Sequence, residues 1–198
     1  MRSFDPRKVG SLECRAWEMY YRRRWAAFLL AAVGLVRAAF RMNWPRTLVG
    51  AWLVLRANQK WAPYPENDPD AARALMAGFY RLLRASERLA IDPVRAAALE
   101  VEWWRAHREG QYASSPENAE ALVRALSDVY SYTYGVDAAD VRQAAALRAE
   151  AMDVSDRWVA AGCDPGDPLL AEERALLVRS YATLLAAVHR PRVARSGP

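Results

Sequence analysis

Several ingredients of common active sites are scarce in this sequence. Cys14 and Cys163 are the only cysteines in 198 residues, and without a Cys-x-x-Cys pair or a Cys/His cluster a structural zinc site has no ligand set. His107 and His189 are the only histidines, and no Glu-x-x-His occurs, so the ligand pattern of a ferritin-like di-iron bundle is missing. Nor is there a Gly-x-Ser-x-Gly elbow, a phosphate-cradling glycine loop or a dinucleotide fingerprint. Lys8 and Lys60 are the only lysines among 28 basic residues. Such an arginine excess accompanies GC-rich coding, which disfavours a nucleic-acid argument built on arginine content. Long apolar runs are absent too. The longest uncharged run, Trp25 to Val36, is twelve residues against the ~20 that a bilayer span needs. The first 24 residues carry no apolar leader, so the expected location is cytoplasmic.

What is present is globular in composition, with 53% hydrophobic and 26% charged residues. The net charge of +5 is uneven: residues 1–60 carry twelve basic and three acidic side chains, while residues 61–198 are net acidic. The basic end is a candidate for an anionic partner, including the surface of an anionic membrane.

Helix punctuation is the strongest local signal. Asp68-Pro69, Asp92-Pro93, Ser115-Pro116 and Asp167-Pro168 each pair a capping side chain with proline in the first turn. Asn43 before Trp44-Pro45, Asp137 and Ser11 are further caps, and Gly110, Gly135 and Gly162 stand where helices should stop. The spacing predicts helices over about 12–42, 44–60, 69–90, 93–109, 116–134, 138–161 and 168–189, with residues 1–10 an irregular lead-in and 191–198 a frayed tail. The expected fold is all-α: a single-domain bundle of about seven antiparallel helices around a long central first helix, 12–42.

Two constellations draw attention. On the first helix Glu13, Tyr20 and Arg24 share a stripe with Trp17 and Phe28, so charge lies on an apolar face. They line a polar pocket if that face is buried; if that end of the helix reaches the surface, Glu13 is simply solvated. On the fourth predicted helix Glu100, Trp104 and His107 share a face, although Glu100 and His107 are ~10 Å apart along the axis and cannot chelate one metal. His107 also suits a helix C-terminus when protonated.

These residues lead to an expectation of a non-catalytic module that binds a partner protein or a small apolar or aromatic ligand, through Glu13, Tyr20, Arg24, Glu100, Trp104 and His107. The alternative is a helical metal- or cofactor-dependent oxidase, which needs Glu13, Glu100, His107 and Asp156 to converge. A third reading is a peripheral binder of anionic membrane or nucleic acid through the basic N-terminal segment. No cofactor and no oligomeric state can be assigned from the residues.

Overall fold

The computed structural model describes residues 3–113 and 115–190. Among them it is all-helical, with eight helices and no strand: α1 (Pro6–Tyr21), α2 (Trp25–Ala39), α3 (Trp44–Trp61), α4 (Pro69–Glu87), α5 (Pro93–Tyr112), α6 (Pro116–Tyr134), α7 (Ala138–Ala160) and α8 (Leu169–Val188). The tail at 191–198 lies outside the described residues.

The capping chemistry places most of the starts. Asn43, Asp68, Asp92 and Ser115 accept backbone N–H groups of Arg46, Ala71, Val94 and Asn118 at 2.9–3.1 Å, and Asp167 accepts from Leu169 at 2.8 Å. At the beginning of the chain the cap is Asp5 rather than Ser11, accepting from Arg7 at 2.9 Å, with Pro6 in the first turn. Residues 6–10 are therefore helical. Gly135 ends α6 in the left-handed conformation with φ +64°, whereas α5 runs through Gly110 to Tyr112.

The expected single helix over 12–42 is two helices. At the break Arg23 is left-handed with φ +56°, a conformation that side chains other than glycine seldom adopt. Two neighbouring rings and one distant carbonyl meet its side chain. Its guanidinium lies over the rings of Tyr20 and Trp25, at 5.4 and 5.8 Å, and donates to the Ala62 carbonyl at 3.1 Å. The chain thus turns back at Arg22–Arg24, and α1 and α2 pack on each other.

Each helix packs on its successor, and α8 returns to pack on α1, so the order of neighbours closes into a ring. The α1–α8 seam is close: a Cβ at Gly10 would stand 2.7 Å from the Val178 backbone nitrogen. The α7–α8 contact uses small residues in the same way, with Ala144, Ala145 and Ala151 fully buried and Ser180 donating to the Ala144 carbonyl at 2.8 Å. Inside the ring lies a cavity of about 210 Å³, to which all eight helices contribute, from Glu13 on α1 to Tyr181 on α8.

Candidate functional site in the central cavity

The walls of the cavity are mainly apolar and aromatic, with Trp17, Phe28, Phe79, Trp103 and Val129 among them. Three charged side chains interrupt that surface: Glu13, Glu100 and Arg148. Glu13 and Arg148 are buried, 4% and 8% exposed, and form an ion pair with Nη2 of Arg148 at 2.5 Å from Oε1 of Glu13. Arg148 also donates from Nη1 to the Tyr130 hydroxyl at 3.3 Å, and its guanidinium lies over Trp103 (4.7 Å), Tyr130 (5.8 Å) and Trp17 (6.0 Å). A buried cation thereby has a carboxylate, a phenol and three ring faces around it. Burial works against that charge, but the field of Glu13 and of the neighbouring phenols outweighs it and holds Arg148 firmly protonated.

Glu100 is placed by α5 and receives the Tyr80 hydroxyl of α4 at 2.9 Å. It is enclosed by protein yet keeps surface facing the cavity. Burial raises its proton affinity; Arg148 and the Tyr80 hydrogen bond act in the opposite sense, and the charge of Glu13 adds to the rise. The Trp103 indole N–H stands near enough to favour the ionised form but closes no hydrogen bond of normal geometry. Three more buried polar atoms of the wall lack a full hydrogen bond, Oε2 of Glu13, Nε of Arg148 and Oγ1 of Thr133. The Tyr181 hydroxyl approaches Glu13, and burial followed by the Glu13 charge pushes its proton affinity well up.

A second, smaller cavity of about 90 Å³ adjoins the first through the shared walls of Trp17, Phe28, Trp103 and Trp104. Tyr20, His107, Arg108 and Gln111 line it. Nε2 of His107 is 3.1 Å from Oδ2 of Asp156, whose other oxygen accepts from Gln111 at 2.6 Å. An outer cleft of about 560 Å³ lies between Trp61, Tyr64 and the end of α5. Among its charged residues Arg105 pairs with Glu102 and Glu109 on the exposed rim, and the half-buried Arg108 donates to the Trp61 carbonyl at 3.0 Å and lies over the Trp61 and Tyr64 rings.

The six candidate residues thus divide. Glu13 and Glu100 face the central cavity, Tyr20 and His107 the smaller one, and Trp104 both. Arg24 caps the start of α2, exposed to solvent, and lines neither. For the oxidase alternative, Glu13 and Glu100 stand at one cavity while His107 and Asp156 pair at the other. Among the described residues no group of three His, Cys, Asp or Glu side chains could hold a metal ion.

Arg148, Tyr80 and Tyr130 complete the site, and of these Arg148 and Tyr80 were not singled out from the sequence. Arg148 had a legible signal. It lies on the stripe Val141, Ala144, Ala145, Met152 and Ser155 of α7, where every other residue is buried and small or apolar.

The fold and the site define an all-helical protein with an internal cavity based on a buried ion pair. The chain matches no protein-family model, no curated protein and no solved structure.

Proposed function

We propose that the protein is a non-catalytic binding module whose ligand is a small aromatic or alicyclic amine held in the central cavity, the ring of eight helices acting as one domain around it. The observation that carries this reading is the charge balance of the wall: two enclosed carboxylates, Glu13 and Glu100, against one guanidinium, Arg148. Arg148 is already engaged by Glu13 and Tyr130. An ammonium group beside Glu100 favours its ionised form against the burial that raises its proton affinity, and the ring faces of Tyr80 and Trp103 attract a cation as well. Size argues in the same direction. A cavity of ~150 Å³ takes benzene, so the present 210 Å³ suits a ligand of about ten non-hydrogen atoms.

Titration of tryptophan fluorescence with 2-phenylethylamine, 2-phenylethanol and 3-phenylpropanoate tests the reading. The amine is expected to bind at least about tenfold more tightly than the alcohol. Glu100→Gln should remove that margin and leave the alcohol unchanged. Preference for the carboxylate would transfer recognition to Arg148, and binding by none of the three would reject the cavity as a ligand site.

A further inference from the structure

From Met19 to Pro65 the chain contains no aspartate or glutamate, while Arg22, Arg23, Arg24, Arg37, Arg41, Arg46, Arg56 and Lys60 all fall within it. That acid-free stretch builds α2 and α3. On α3 it also exposes large apolar side chains: Trp44, Leu48, Val49 and Trp52 are each more than half exposed. Trp44, Leu48, Trp52 and Arg56 follow one another at intervals of four and form one continuous face. Leu30 on the adjoining α2 is exposed too.

Soluble proteins seldom show water a contiguous apolar face of this kind. The face is amphipathic in a particular way. Arg37 lies over the Trp44 ring at 5.1 Å and Arg56 over Trp52 at 5.9 Å, so a guanidinium stands beside each indole. Tryptophan prefers the boundary between water and hydrocarbon, and arginine lays its stem along apolar surface while its head stays with the phosphates. From α4, Glu87 accepts the Arg41 backbone N–H at 2.8 Å, and from α1, Glu18 pairs with Arg22 at 3.0 Å, two negative charges against eight positive ones. Among the described residues no helix is long and apolar enough to cross a bilayer, so insertion would stop at the interface.

We propose that the exposed face of α3, with Trp44, Leu48 and Trp52 as its apolar contacts and Arg37, Arg41, Arg46 and Arg56 around them, docks the protein on an anionic lipid surface. Charge complementarity selects this occupant over a second copy of the chain, because two such faces would bring like charges together.

The test is co-sedimentation of the full chain with vesicles of pure phosphatidylcholine and of phosphatidylcholine mixed with phosphatidylglycerol. The mixed vesicles should take up at least about tenfold more protein at low salt, and high salt should narrow the difference. Leu48→Glu with Trp52→Glu should abolish uptake. Arg41→Gln with Arg46→Gln should lower it about tenfold at low salt and hardly at high salt. Because all four positions are exposed, both variants keep the core unchanged. Equal uptake by the two vesicle types, or none, overturns the proposal. So does a concentration-dependent dimer that Trp52→Glu dissociates, which would give the face to a second copy.

Discussion

Two buried carboxylates, Glu13 of α1 and Glu173 of α8, stand in different electrostatic surroundings. Glu13 faces the central cavity and meets Arg148 at 2.5 Å. Glu173 of α8 lies in the seam among α1, α7 and α8, fully buried beside a cluster of Cys14, Ala151, Val154, Leu176 and Leu177. Among the described residues no cation pairs with it. Neither of its oxygens closes a hydrogen bond of normal geometry, although Cys14 and Ser155 stand near enough to favour its ionised form. Burial therefore decides, and the carboxyl is pushed up to about 8, a neutral acid at pH 7. Glu18, the other buried acid of α1, follows the Glu13 pattern, with Arg15 at 2.5 Å and Arg22 at 3.0 Å. Glu13 and Glu18 each meet a guanidinium, whereas Glu173, buried without one, holds its proton at pH 7.

Removing the guanidinium is the most damaging way to break that contrast. Arg148→Met should leave Glu13 as an uncompensated buried acid and cost about 3–5 kcal/mol in urea unfolding. Adding Glu13→Gln should recover most of the loss, because a pair removed together leaves no stranded charge. If the double variant is as unstable as the single one, the guanidinium acts through its packing on Trp103 and Tyr130 instead.

The pH dependence of stability isolates Glu173. The unfolded chain releases this proton near 4.5 and the folded chain near 8. Between those values the folded state holds a proton that the unfolded state has lost, so stability is full below 4.5 and falls as pH rises, levelling off above 8. The contribution at neutrality is a loss on the order of 3 kcal/mol relative to acid conditions. Glu173→Gln should flatten that fall, and the difference between the two unfolding profiles, measured from pH 4.5 to 8, reads it directly. Parallel profiles would show that the carboxyl is ionised in the folded protein.

What sequence reasoning captured and what it missed divide along the same physical line. Asp68, Asp92 and Ser115 act on backbone groups two or three residues away, so a helix start is written in adjacent residues. The break at Arg23 is not: the side chain of that left-handed residue meets the Ala62 carbonyl, 39 residues on. Gly110 carried a stop signal, yet α5 continues through it with open space where a Cβ would be. In the site, Glu13 was visible as a charge on an apolar stripe. Its partner lies 135 residues away, and nothing local joins them. Glu173 sits on the stripe Leu170, Leu177, Ser180 and Leu184 of α8, every member of which is buried, so it gave the same kind of signal as Arg148. A single charge inside an apolar period marks a buried group, but whether it is paired depends on which helices the fold makes neighbours.

The smallest expected effect sharpens the contrast without touching a charge. Cys14 is buried against Glu173, and its thiol is pushed up to about 12, first by burial and then by the Glu173 charge. A thiol is a weak donor, and Sγ of Cys14 already points to the Leu170 carbonyl at 3.5 Å. In Cys14→Ser the hydroxyl is a stronger donor of nearly the same size. If it turns to Glu173, it stabilises the carboxylate and lowers that group's midpoint from about 8 by roughly one pH unit, about 1 kcal/mol. The side-chain carboxyl ¹³C shift of Glu173, followed through a pH titration, measures that midpoint. A midpoint that stays put would mean that the new hydroxyl keeps to the Leu170 carbonyl, and that the acid's proton affinity is set by its burial alone.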